Sequence, residues 1–86
     1  MKIRWADEAW ADYRRWRIED RPVFNRINHL VKAIEADPFR GIGKPEPLRH
    51  ELAGCWSRRI TEEHRLVYKI TAGHIHVISC RYHYRK

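Results

Sequence analysis

Four short segments of this chain carry residue types that handle phosphate esters: Lys44-Pro45-Glu46-Pro47, Trp56-Ser57-Arg58-Arg59, Glu63-His64-Arg65 and Arg81-Tyr82-His83-Tyr84. Together they supply a carboxylate, a cationic cluster, an imidazole and aromatic rings. Those are the parts needed to cleave RNA without a metal. The 2′-hydroxyl must lose a proton as it attacks phosphorus, the pentacoordinate phosphate gains negative charge, and the leaving 5′-oxygen must be protonated. Glu46 sits between two prolines that fix φ, so its loop is stiff and suits a base. Arg65 and its neighbours suit the clamp, because a planar guanidinium fork matches phosphate oxygens and stays charged. His83 suits the acid, with a reference imidazole pKa of about 6.5. Tyr84 and Trp56 offer faces for unpaired bases to stack on. Lys44, Arg58, Arg59 and Arg81 are the candidate substrate-binding cations.

Each of these residues also has a plainer reading. Glu46 is equally a solvated loop residue, and Arg58, Arg59 and Arg65 can pair with Glu62 and Glu63 across a turn. His83 can be merely exposed, Tyr84 can cap the edge of the core, and Trp56 reads more readily as core than as a platform. His74, His76 and Cys80 lack the second pair of ligands that a structural zinc site wants, so neither a metal nor a cofactor is called. Ser57 has no spacing that points to a triad. Cys55 and Cys80 read as inert packing residues.

The elements that must position these groups follow from periodicity. Met1 to Trp5 alternates and reads as a strand. Asp7 is the expected N-cap of a helix to about Asp20, with Trp10, Tyr13 and Trp16 along one stripe. Asp20 then caps a second helix in which Val23, Phe24, Ile27, Leu30, Val31 and Ile34 follow the 3.6-residue period until Pro38 forbids it. Residues 38–48 hold three of the four prolines and read as an ordered loop. From Leu48 the period becomes two, and Leu48–Leu52, Cys55–Thr61, His64–Thr71 and His74–Tyr82 are expected strands joined by tight turns that force antiparallel neighbours. The expected fold is therefore α+β: an N-terminal strand and a two-helix hairpin packed on an antiparallel sheet whose other face is solvated. On the last strand apolar residues occupy both parities, so parity does not choose the core face there.

With 86 residues there is room for one domain, residues 1–86. Eighteen Lys and Arg against 11 Asp and Glu give a net charge of +7, and 43% hydrophobic content with ten aromatic residues is enough for a core. Residues 1–43 carry nine Lys/Arg against seven acids, whereas residues 44–86 carry nine against four and five of the six histidines. A polyanion is the natural partner of that second half. No apolar run reaches membrane-spanning length and no export signal opens the chain, so the expected location is the cytoplasm, with no membrane partner.

At the same residues the sequence resembles the YoeB-type (Txe/YoeB) toxins of the RelE superfamily. The resemblance covers essentially the whole chain and is strongest in Gly43-Lys44-Pro45-Glu46-Pro47-Leu48, in Trp56 through Tyr68, and in Cys80-Arg81-Tyr82-His83-Tyr84. It implies a RelE-like fold and an mRNA interferase that enters the A site of the 70S ribosome, contacts 30S rRNA, and cuts the bound mRNA. By the same resemblance the base is Glu46, the phosphate-stabilising arginine Arg65, the acid His83, the substrate-holding aromatic Tyr84 and the supporting cation Arg59. It further implies a YefM-like antitoxin with an acidic C-terminal segment, and a homodimer. Members typically end near the residue matching Tyr84, whereas this chain continues with Arg85-Lys86. The competing expectations are a basic module that binds RNA or the ribosome without cutting, and a decayed toxin.

Overall fold

The computed structural model describes residues 1–82, so the expectations placed on His83 and Tyr84 lie outside the described residues. Strand β1 (Lys2–Trp5) is followed by helices α1 (Asp7–Glu19) and α2 (Arg21–Ala36), then by strands β2 (Glu46–Pro47), β3 (Trp56–Arg59), β4 (Arg65–Thr71) and β5 (His74–Ser79).

The helical hairpin turns on one residue. Asp20 caps the end of α1 through its own N–H to the Trp16 carbonyl, and its Oδ1 accepts from the Val23 N–H at 3.3 Å to open α2, with Pro22 in the first turn. Helix α1 starts differently from the expectation: Ala6 is the N-cap, and Asp7 and Glu8 occupy the first turn, where their charge complements the helix dipole. The aromatic stripe of α1 also splits. Steps of three residues drift by about 60° per step on a 3.6-residue helix, so Trp16 is buried, Tyr13 is half-buried and Trp10 is exposed. The face of α2 that carries Val23, Ile27, Leu30, Val31 and Ile34 is buried as the period demands.

The sheet order is β1-β5-β4-β3-β2. Strands β2 to β5 form the expected antiparallel meander, but β1 pairs with β5 in parallel, from Lys2 opposite His74 to Trp5 opposite Val77. The sheet is mixed because tight turns dictate direction only between consecutive strands, and β1 reaches the sheet across the helices. Leu48–Leu52 is not a strand; β2 is two residues long and is followed by a short 3-10 turn, His50–Leu52.

A β-bulge resolves the ambiguous last strand. Tyr68 faces Val77 while Val67 faces Ser79, so Ile78 is the extra residue. Ile75 and Val77 therefore point to the helices, Ile78 to the opposite face, and Cys80 returns to the core, where its Sγ lies 3.5 Å from the Ala9 carbonyl. The main core lies between helices and sheet, around Ile27, Leu30, Ile34, Leu66, Tyr68 and Ile75. The face away from the helices is not wholly solvated: Leu48, Leu52 and Cys55 fold back onto Val67 and Ile78 in a second, smaller cluster.

Candidate active site

Alternation within the ladder decides which candidates meet. Glu46 faces Ser57, Ser57 faces Val67, and Arg59 faces Arg65, which puts Glu46, Arg59 and Arg65 together on the helix-free face. Directly opposed side chains start about 5 Å apart and diagonal ones about 7–8 Å apart, distances that one nucleotide's phosphate can bridge. Glu46 is the only acidic residue in any strand of the described residues. Both Glu46 and Arg59 are exposed, and no hydrogen bond or ion pair occupies either side chain among the described residues. Lys44, two residues before Glu46, is exposed and sits at a φ of 51°.

Arg65 is half-buried. Its Nη1 donates to the carbonyls of Thr61 at 2.8 Å, Glu62 at 3.1 Å and His64 at 3.1 Å, tying down the β3–β4 turn. Its Nε and Nη2 make no hydrogen bond among the described residues, which leaves one edge of the fork for an anion. None of Arg58, Arg59 or Arg65 forms an ion pair with Glu62 or Glu63 among the described residues; Glu63 instead lies 3.7 Å from Nε2 of His64.

Arg58 leaves the substrate-facing set. It alternates onto the core face with Trp56 and is fully buried. Its Nε donates to the Tyr68 hydroxyl at 3.1 Å, Nη1 to the Ile42 carbonyl at 3.1 Å, and Nη2 to the carbonyls of Asp37 at 2.7 Å and Arg40 at 3.0 Å. The Tyr68 hydroxyl in turn donates to the Pro38 carbonyl at 2.7 Å. Burial pushes the Tyr68 phenol above its ordinary range, against the lowering effect of the Arg58 hydrogen bond and charge. The loop from Asp37 to Ile42 is thus wound around one guanidinium, and that loop delivers Glu46. Close packing at Gly43 completes it: an added Cβ would lie 2.8 Å from Leu30 Cδ2 and 3.0 Å from Arg58 Cβ, at a φ of +87°.

Arg81 is likewise anchored rather than presented. Its guanidinium carbon sits 4.2 Å from the centre of the Trp16 ring, and Nη2 donates to Glu19 Oε1 at 3.1 Å. Trp16 also donates from Nε1 to the Cys80 carbonyl at 3.0 Å, so α1 holds the segment at residues 80 and 81. Trp56 packs on the core and tilts against Phe39 at 4.9 Å, the core role expected of it. Desolvation pushes the Cys80 thiol up to about 12, which makes it the inert residue the sequence indicated. Sequence reasoning missed the loop-organising role of Arg58, although its parity with Trp56 on β3 was a signal for it. It also missed His64, whose buried ring no pattern marks.

The helical hairpin over a five-stranded sheet is the α+β architecture of RelE-like bacterial toxins. YafQ from Escherichia coli, only 16% identical, shares the fold with a TM-score of 0.75 over 94% of this chain and 91% of its own. The likeness to nearer proteins runs through the sequence as well. The model of the YoeB-like toxins of bacterial type II toxin-antitoxin systems matches residues 5–84. The toxin YoeB of Escherichia coli K12 is 52% identical over 98% of this chain and its whole length, and that of Synechocystis is 52% identical over all 86 residues. A YoeB/ParE toxin from Agrobacterium tumefaciens superposes with a TM-score of 0.95 at 45% identity, covering 98% of this chain and all of the other. The chain therefore belongs to the YoeB-like family and is a toxin of the type II toxin-antitoxin class. The full-length match to the Synechocystis protein also shows that Arg85-Lys86 falls within the span of a relative.

Proposed function

We propose that this toxin is a ribosome-dependent endoribonuclease that cuts messenger RNA in the A site. The observation that carries the reading is the meeting of Glu46, Arg59 and Arg65 on the helix-free face, with one carboxylate among cations whose side chains are uncommitted or half-committed. Glu46 takes the 2′-hydroxyl proton as the oxygen attacks phosphorus. Arg65, helped by Arg59, stabilises the phosphorane, and Lys44 adds positive charge beside it. His83 protonates the 5′-oxygen as its bond to phosphorus breaks, and Tyr84 orients the nucleotide. The products are a 2′,3′-cyclic phosphate, or the 3′-phosphate formed from it, and a 5′-hydroxyl. A YefM-like antitoxin is the expected inhibitor, because a Staphylococcus aureus relative, 42% identical, forms a heterotetrameric YoeB-YefM complex. A homodimer is expected on the same footing, from the YoeB dimer of Staphylococcus aureus. Its site of action is the cytoplasm.

Basic and imidazole side chains elsewhere on the same face support an RNA partner. Arg4, His76 and Lys69 stand side by side across β1, β5 and β4, with Lys2 and His74 in a neighbouring row. The deciding experiment maps messenger 5′ ends on programmed ribosomes treated with the protein or with Glu46→Ala. New 5′-hydroxyl ends that depend on Glu46 bear the reading out. Stalled ribosomes carrying intact messenger would make the protein a plug.

A further inference from the structure

Tyr82 is gripped by both polar groups of its backbone. Its carbonyl accepts from the Arg65 N–H at 3.0 Å, and its N–H donates to Nδ1 of His64 at 2.7 Å. The grip has something to hold, because Tyr82 has a φ of 61°, a left-handed conformation that a residue with a bulky side chain keeps only when its surroundings impose it. The His64 ring is itself fixed, edge-on to Trp16 at 4.8 Å and tilted against the Tyr82 ring at 5.4 Å. Its side chain is 11% exposed.

The direction of this hydrogen bond determines the state of the ring. A backbone amide only donates, so Nδ1 must be the unprotonated nitrogen, and the ring proton sits on Nε2, 3.7 Å from the Glu63 carboxylate. A proton on Nδ1 would set one N–H against another across 2.7 Å, and the bond would be lost.

We propose that His64 is a positioning residue: its neutral ring latches the amide of Tyr82, the residue that precedes His83 and Tyr84 in the chain, and protonation of the ring opens the latch. The inference rests on the roles proposed above for His83 and Tyr84. Several charged or titratable groups surround the ring. Glu63 and Arg65 flank it in sequence, Tyr82 faces it from the C-terminal segment, and Arg81, paired with Glu19 of α1, lies over the Trp16 and Tyr82 rings that contact it.

The test compares wild-type protein, His64→Leu and His64→Asn, using hydrogen exchange at the Tyr82 amide and ring-nitrogen NMR between pH 5.5 and 8, beside cutting on programmed ribosomes. Asparagine offers an oxygen near the position of Nδ1 and does not titrate. At pH 8 the wild-type amide is expected to exchange about tenfold more slowly than in His64→Leu. That protection should vanish as the wild-type ring titrates and persist into acid in His64→Asn. In cutting, His64→Leu should lower kcat with KM for the ribosome complex unchanged, and His64→Asn should restore it. Equal Tyr82 exchange in wild type and His64→Leu, or a proton on Nδ1 at pH 8, overturns the proposal, and so does protection in the wild type that ignores pH. Should His64→Leu fail to fold, the wild-type and His64→Asn pH profiles decide alone. The two failures separate: a wild-type protein that leaves messenger whole counts against the nuclease, whereas an unlatched Tyr82 in a cutting enzyme counts against the latch.

Discussion

Replacing Arg58 with lysine separates a structural guanidinium from a substrate-binding one. Arg58 uses three nitrogens on four acceptors: the Tyr68 hydroxyl and the carbonyls of Ile42, Asp37 and Arg40. A lysine keeps the charge but reaches about one of these, leaving roughly three acceptors with no donor. At a net worth of about 1 kcal/mol each, the substitution costs about 3 kcal/mol. That is a large share of the stability expected for 86 residues, about 4 to 13 kcal/mol. With about 4 to 8 °C of melting temperature per kcal/mol, Tm should fall by about 12 to 24 °C. Calorimetry measures this directly, and hydrogen exchange of the amides at residues 39–43 locates the loss. Cutting measured well below the new Tm should also fall, since the loosened loop is the one that carries Glu46. A variant that melts within about 3 °C of wild type refutes the account of the loop. So does one that keeps its Tm but binds messenger more weakly, because Arg58 would then be a substrate contact after all.

Glu46→Gln and Arg65→Ala should each slow cutting by a factor of about 10² to 10⁴ in single-turnover assays, and Glu46→Gln should do so without changing Tm, because the side chain is exposed. Gly43→Ala should lower stability by about 1–3 kcal/mol in urea titrations, since the new methyl meets Leu30 and Arg58 on a backbone that disfavours it. In alkali, Cys80 and Tyr68 both have native pKa values raised above their unfolded ones. Their stabilisation is therefore complete below about pH 9 and fades as pH rises, for Cys80 toward about 12, so the urea midpoint should drop steeply above pH 9 and less so in Cys80→Ala.

The parts of the fold that were legible in the sequence are those set by local rules. Asp20, Pro22 and the apolar row from Val23 to Ile34 announce α2 by capping and period alone, and alternation places Leu66 and Tyr68 inward. What escaped was decided between distant segments. The parallel docking of β1 depends on β5, the second apolar cluster depends on a loop folding back, and the bulge at Ile78 depends on which partner Val67 takes. The same division runs through the site. Glu46, Arg59 and Arg65 are visible as residue types, and their meeting follows once the strands are in register. The capture of Arg58 by four acceptors in other segments is not written in its own neighbourhood. His64 escaped for the same reason, since its partner lies 18 residues away in the chain.

That register gives the two facing arginines a second duty. The Arg59 N–H donates to the Gly43 carbonyl at 2.7 Å, and the Arg65 N–H donates to the Tyr82 carbonyl at 3.0 Å. One of those segments runs on to Glu46 and the other to His83. Each arginine therefore holds, with its main chain, a segment that leads in sequence to one of the two proposed proton-transfer groups, while its side chain lies on the helix-free face. Charge and position can be separated on that basis, because a side-chain substitution leaves the backbone donor in place. Arg59→Ala should keep the Tm and the exchange protection of its own amide while weakening the salt dependence of RNA binding by about one phosphate contact. Arg65→Ala should differ from it, because Nη1 also closes the turn on three carbonyls, and its loss should loosen residues 61–64 as well as the chemistry. If Arg59→Ala instead frees the Gly43 segment, the loop is held by the side chain's charge and not by the strand.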